Sequence, residues 1–229
     1  FAGQRAASEA GHIANTNVGG NFLMTITDYF KRIEKKQTEI GYYFPTIIRP
    51  PATIQQIKKV EEEIELKLND ELIELYLFAD GTTIDEVTPC GKTGLIPIHS
   101  FLNLQDVISY YNRGFEIDEY FRNLDSGYRP GNKLFPFLED GAGNCYWVDL
   151  NGTENHGRLY WTNTFGDQPD YLYNSLTTFF QVIDECYQTS VFKLDNEGYL
   201  DCDYTKFGVV SKKYNPDIDY WTRYLAGTK

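Results

Sequence analysis

Apolar residues at Ile26, Tyr29, Phe30 and Ile33 recur at helical spacing with Lys and Glu between them, predicting an amphipathic helix from Thr25 to Lys36. Pro45, Pro50 and Pro51 then break the chain. Thr53, with Gln56 three residues on, carries a capping-box signature for a second helix over 53–65, whose buried stripe would be Ile54, Ile57, Val60 and Ile64. Asn69 can cap a third helix over 69–79, in which Leu72, Ile73, Leu75, Tyr76 and Phe78 run up to Asp80 and Gly81. Gly81 suits a left-handed turn at a helix end. Ser175 opens the last clear helix, over 175–187, and its wide face of Leu176, Phe179, Phe180, Val182, Ile183, Cys186 and Tyr187 is fit to pack on a sheet.

Between these helices the pattern changes. Residues 94–99 (GLIPIH) read as one strand, which Pro97 confines to an edge or a bulge. Residues 103–111 return to helical spacing, whereas 113–131 mix charge with Tyr and Phe without a steady period and read as irregular structure with some helix, a candidate surface. Three strand-like runs follow at 134–138, 145–150 and 158–163. The turn-forming stretches EDGAGN and NGTENHG between them are too short for crossover helices, so the runs predict an antiparallel meander. The tail, 191–221, is rich in Tyr and Asp and ends in the aromatic cluster Tyr214, Tyr220 and Trp221. Helices, then strands, then a helix predict an α+β fold, a single domain over 24–229 with a mostly antiparallel sheet flanked by helices. Residues 1–23, small and polar, precede Met24, the only methionine, and are expected to be an added or flexible extension outside that fold.

Charge sharpens this picture. The net charge is −12, and residues 1–70 hold nine Lys/Arg against nine Asp/Glu, so the whole acidic excess falls in 71–229. Such a field repels nucleic acid and anionic membranes and speeds encounter with a basic partner. Cys90, Cys145, Cys186 and Cys202 show no C-x-x-C pair and no histidine at ligand spacing, so they read as reduced thiols and not as a metal site. No stretch reaches the roughly 20 apolar residues of a membrane span, and a cytoplasmic location is expected.

The motifs that would signal chemistry fail on spacing. Gly91-Lys92-Thr93 resembles the end of a phosphate-binding loop, but Glu86 stands where its first glycine should be. Asp195-Asn196-Glu197-Gly198, followed by Asp201 and Asp203, puts Gly198 at the fourth position and Lys206 at the twelfth, where a calcium loop needs glycine at the sixth and glutamate at the twelfth. A hairpin turn is expected there instead. There is no G-x-S-x-G elbow, His156 lies in a turn-like segment, and His99 ends an apolar run as a structural histidine. The pairs Asp118 with Glu119 and Glu139 with Asp140 read as solvated loops or turns, and no catalytic residue, metal or cofactor is expected.

The order of PPATIQQIKKVEEEIELKLNDELIELYLFADG, LIPIHSFLNL, LFPFLEDGAGNCYWVDL, the SLTTFF helix and KYNPDIDYW resembles the SUKH superfamily over about residues 50–221. That superfamily includes bacterial toxin-immunity proteins and fungal cell-wall-synthesis regulators. One departure is Asn69, where the family usually has proline; asparagine is also a good cap. For bacterial members the resemblance implies a non-catalytic protein that neutralises a cognate toxin, often a nuclease, by binding it in the cytoplasm. The alternatives are a regulatory scaffold with several protein partners and a small hydrolase. A basic toxin suits the acidic field, with no direct contact to nucleic acid or membrane. The surface expected to meet it mixes acids with tyrosine: Glu116, Asp118, Glu119, Tyr120, Glu139, Asp140, Asp201 and Asp203.

Overall fold

The computed structural model describes residues 24–84, 88–89, 91–123, 133–162 and 170–227, with side chains described only to residue 113 in the helix that ends at 123. The helices are α1 (Ile26–Glu39), α2 (Ile54–Glu63), α3 (Asp70–Phe78), α4 (Leu104–Asn123), α5 (Leu176–Gln188), α6 (Tyr204–Tyr214) and α7 (Asp219–Gly227). The strands are β1 (Gly94–Ile96), β2 (His99–Phe101), β3 (Leu134–Glu139), β4 (Cys145–Asp149), β5 (Leu159–Thr162), β6 (Asp170–Tyr173), β7 (Phe192–Leu194) and β8 (Leu200–Cys202). The first six form one sheet in chain order with every neighbouring pair antiparallel, and β7 and β8 form a separate hairpin. The expected α+β class and antiparallel meander are therefore what the chain adopts.

Strand pairing sorts side chains onto two faces. Phe101, Phe135, Leu138, Tyr146, Val148 and Tyr173 join the large core with α1, α3 and α5, where Phe30 meets Phe101 and Phe180, and Phe179 meets Phe137, Tyr146 and Tyr173. Leu134, Cys145 and Trp147 form a second, smaller cluster with Tyr160. Both ends of the sheet are closed by side-chain donors. Tyr42 and Tyr187 donate to the carbonyls of Gly94 and Leu95 on β1, each at 3.0 Å, and the Trp221 indole donates to the Leu172 carbonyl on β6. An added strand would have to displace these bonds.

Helix α3 organises the other helices. Its Glu71 carboxylate accepts the Leu176 and Thr177 amides at 3.1 and 3.2 Å and the Thr177 hydroxyl at 2.6 Å, all in the first turn of α5. Glu74 accepts the Thr27 amide at 2.8 Å in the first turn of α1. Asp80, just past α3, accepts the Leu104 amide at 2.9 Å where α4 begins and pairs with Arg49 at 3.2 Å. Burial pushes the Asp80 carboxyl above its ordinary value, with the Leu104 amide and Arg49 opposing it. Each contact places a carboxylate where a helix leaves amides without intrahelical partners and the dipole is positive.

Gly81 allows the last of these contacts. Its φ is +66°, and a Cβ there would lie 2.3 Å from the Asn103 amide nitrogen, so only glycine lets the chain before α4 pass this close.

The local signals hold where they were strongest: Thr53, Asn69 and Ser175 each cap the helix expected of them. Elsewhere the structure corrects the sequence reading. Residues 94–99 are not one strand, because Pro97 and Ile98 form a tight turn between β1 and β2. Ile54 is 43% exposed, since it is the first residue of α2 and points back past the packed turn. The segment 113–123, expected to be irregular with some helix, is helical throughout as the continuation of α4; it contains one glycine and no proline, so nothing in it forbids helix. Residues 124–131 of that expected surface lie outside the described residues, as do Asn163 and Cys90. Strand β6 and helices α6 and α7 carried no readable period. Trp221, from the aromatic tail, is buried against Tyr173 and Phe207.

Two pairs of substitutions test this arrangement by urea unfolding. Gly81→Ala should cost at least about 3 kcal/mol, because backbone collision adds to the left-handed strain. Gly141→Ala, with φ +75° and nothing within 4 Å of its Cβ, should cost only about 1–2 kcal/mol. Likewise, Glu71→Ala should destabilise by about 1–3 kcal/mol, against less than about 0.5 kcal/mol for the exposed Glu62→Ala.

Candidate protein-binding surface

The eight residues expected to form the partner surface fall into three groups. Glu139 ends β3, buried, and accepts the Gly141 amide; Asp140 opens the β3–β4 turn and accepts the Ala142 and Asn144 amides at 2.8 and 3.0 Å. Asp201 on β8 pairs across the hairpin with Lys193 at 3.7 Å. Asp203 caps α6, accepting the Lys206 amide, and its Lys206 contacts hold its carboxyl below the ordinary value. Glu116, Asp118, Glu119 and Tyr120 lie on the C-terminal half of α4, and their side chains are outside the described residues. The structure brings Glu139 and Asp140 together; among the described residues no hydrogen bond or ion pair joins them to Asp201 or Asp203.

Counterions separate these acids further. Of the buried carboxylates, Glu61 pairs with Lys67, Asp80 with Arg49 and Asp184 with Arg32, while among the described residues Glu139 pairs with no cation. Asp149, also without one, is held by the Asn151 amide and the Tyr171 hydroxyl. Asp140 likewise has no cation among the described residues, although its oxygens are taken by amides of its own turn. Tyr110 of α4 reaches Glu139, and burial together with that carboxylate pushes its phenol up. Among the described residues, therefore, the two carboxylates at the end of β3 are not offset by an ion pair.

Sequence reasoning missed the element beside them. Ser100 pairs with Glu139, which puts the turn Pro97–Ile98 at the same end of the sheet. Pro97 fixes its own φ, and Ile98 takes φ +62° in the left-handed region. The other non-glycine residues with positive φ among the described residues are Glu65, Lys133 and Ser190, all polar. A branched side chain in that conformation costs about 1–2 kcal/mol, yet Ile98 is 60% exposed and gains little burial in return. Gly94 is required by the fold-back, since a Cβ there would lie 2.2 Å from the Ile96 carbonyl oxygen.

His99 braces the turn. Its Nδ1 lies 2.9 Å from the Pro97 carbonyl oxygen, which can only accept, so Nδ1 carries the proton and Nε2 presents a lone pair. Among the described residues that Nε2 is buried without a hydrogen-bond partner. The ring is 9% exposed and packs edge-on against Tyr146 at 5.0 Å. Burial holds the imidazole below its ordinary value, with the Pro97 carbonyl, Asp140 and Glu139 acting in the opposite direction. His99 is thus structural through one nitrogen and unsatisfied through the other. The only sequence signal for this turn was Pro97 inside a short apolar run.

Several described groups that could do chemistry are engaged in other contacts. Burial pushes the thiols of Cys145, Cys186 and Cys202 upward, away from the nucleophilic thiolate. His156 Nδ1 accepts the Gly152 amide. Lys92, from the sequence that resembled a phosphate loop, reaches the Glu197 carbonyl and lies 4.7 Å from the centre of the Tyr199 ring, tying the β7–β8 hairpin to the chain before β1. The 195–198 segment is the expected hairpin turn, with Asp195 accepting the Glu197 and Tyr199 amides. Among the described residues no three His, Cys, Asp or Glu side chains are grouped to hold a metal. Among them, too, no helix is long and apolar enough to cross a membrane.

No curated protein is similar enough to the chain to count as a relative. A family model does match, over residues 51–182, the span that runs from before α2 into α5 and includes Asp80, Gly81 and the whole six-stranded sheet. Helix α1 and the β7–β8–α6–α7 unit lie outside it. That match covers more than half of the sequence, and the chain belongs to the SMI1 / KNR4 family (SUKH-1).

Proposed function

We propose that this chain is an immunity protein that binds a cognate toxin in the cytoplasm and neutralises it by occupying its surface, the toxin being a basic protein such as a nuclease. Family membership is the observation that carries this reading. The net charge of −12 supports a basic partner, because a nuclease that must hold phosphates presents cations which an acidic surface can cover. The closed ends of the sheet favour contact through turns and faces over strand addition. Buried, protonated thiols and a histidine engaged with its own turn favour binding over catalysis.

In the acidic surface we assign to the partner, Glu116, Asp118, Glu119 and Tyr120 continue along α4, the helix that reaches Glu139 through Tyr110. The assignment of Asp201 and Asp203 is weakened by their lysine partners.

The test is titration of the purified toxin domain encoded beside this gene. One equivalent of the protein should abolish toxin activity, and the association rate should fall by about tenfold or more between low and high salt. Asp118→Lys with Glu119→Lys should slow association and flatten that salt dependence while leaving unfolding unchanged. Unaltered toxin activity at excess protein would refute the reading, and several weak, substoichiometric partners would favour a scaffold.

A further inference from the structure

We propose that Asn151, in the turn between β4 and β5, is a site of self-modification: the folded turn converts its side-chain amide to a carboxylate through a cyclic imide formed with the Gly152 amide nitrogen, His156 acting as general base. The inference is independent of the toxin-binding reading.

Three requirements of that reaction meet in this turn. The nucleophile must be a main-chain nitrogen that no side chain shields, and Asn151-Gly152 is the one Asn-Gly pair in the sequence. Both residues are exposed, and a Cβ at Gly152 would meet nothing within 4 Å among the described residues, so the turn has room to close a five-membered ring. The nucleophile must also lose its proton. The Gly152 N–H donates to His156 Nδ1 at 3.3 Å, so that nitrogen presents a lone pair. A carbonyl oxygen in the same place would hold the N–H without being able to take its proton, whereas the exposed imidazole can take it and pass it to water. Finally, the side-chain amide must stay beside the nucleophile and its nitrogen must leave. Asn151 Nδ2 donates to Asp149 Oδ1 at 3.0 Å, and the same oxygen accepts the Asn151 main-chain amide at 2.8 Å. A carboxylate there favours the positive charge that the leaving nitrogen acquires.

The Gly152 nitrogen bonds to Asn151 Cγ as its proton passes to His156 Nδ1. The Cγ–Nδ2 bond then breaks, His156 returns the proton, and the nitrogen departs as ammonia. Water opens the resulting succinimide at either carbonyl, leaving aspartate or isoaspartate at position 151, and no reactant besides water is consumed. Asp80 and Asp140 also precede glycine, but a carboxylate is a poor electrophile, so the amide at 151 is the reactive group. The product sets a second carboxylate where Asp149 had a donor. Asp149 is buried and also holds the Tyr171 hydroxyl of β6, so like charge beside it loosens the link from this turn to β6.

The experiment incubates wild type and His156→Gln at neutral pH, folded in buffer and unfolded in concentrated urea, and follows ammonia release together with exchange of NH2 for OH at Asn151 by peptide mass mapping. Folded wild type should react at least about tenfold faster than folded His156→Gln, because glutamine can accept the Gly152 hydrogen bond but cannot take its proton. In urea the two should react alike, and both more slowly than folded wild type. Asn151→Asp, standing for the product, should unfold at a lower urea midpoint than wild type. Equal rates in folded wild type and folded His156→Gln would overturn the assignment of the base. A folded wild type that reacts no faster than its own unfolded chain would overturn the proposal itself, and that comparison needs no variant to fold.

Discussion

Three carboxylates carried by or just beyond one helix, Glu71, Glu74 and Asp80 of α3, accept the first free amides of α5, α1 and α4. The rest of the structure depends on this arrangement. A helix end facing the core must satisfy its amides or pay for their desolvation, and a carboxylate does so with charge and dipole in favourable alignment. Because the acceptors share a single rigid element, the angles at which the other helices leave it are coupled. Gly81 completes the device, since any side chain there would push Asn103, and with it the start of α4, away from Asp80.

The sheet inherits its position from this hub. Helices α1 and α5 pack together over one face through Phe30, Phe179 and Phe180, and α4 packs against β3. Tyrosine and tryptophan side chains then seal the outer strands. Outside this packing stands the end of the sheet where β1 turns into β2 and β3 ends at Glu139 and Asp140. There an isoleucine is exposed in a strained conformation and, among the described residues, the buried His99 Nε2 has no hydrogen-bond partner and Glu139 and Asp140 have no cation.

Legibility in the sequence followed the range of the interaction. Thr53 with Gln56, Asn69 and Ser175 act on amides three residues away, so their helices could be read directly. Nothing in the local sequence marks Glu71 or Glu74, because the amides they bind lie 105 and 47 residues distant in the chain. Glu139 and Asp140 were expected together in a solvated loop or turn; Asp140 does open the turn, but Glu139 is the buried last residue of β3, placed by strand pairing with Ser100 and Cys145 that the turn-rich local sequence does not reveal. Ile98 was hidden in an apolar run that reads as strand until Pro97 is given its geometric consequence. Helices α6 and α7 escaped because aromatic packing, such as the Tyr224 ring against Gly208, replaces a clean apolar stripe.

The hub is tested most directly by native-state hydrogen exchange at the amides of Thr27, Leu104 and Leu176. These are helix-start amides, a class that ordinarily frays and exchanges by local opening at little cost. If α3 organises the fold through its carboxylates, all three should exchange only through global unfolding, with the same opening free energy as core-strand amides. Exchange at the rate of frayed helix ends, with the core still protected, would contradict it.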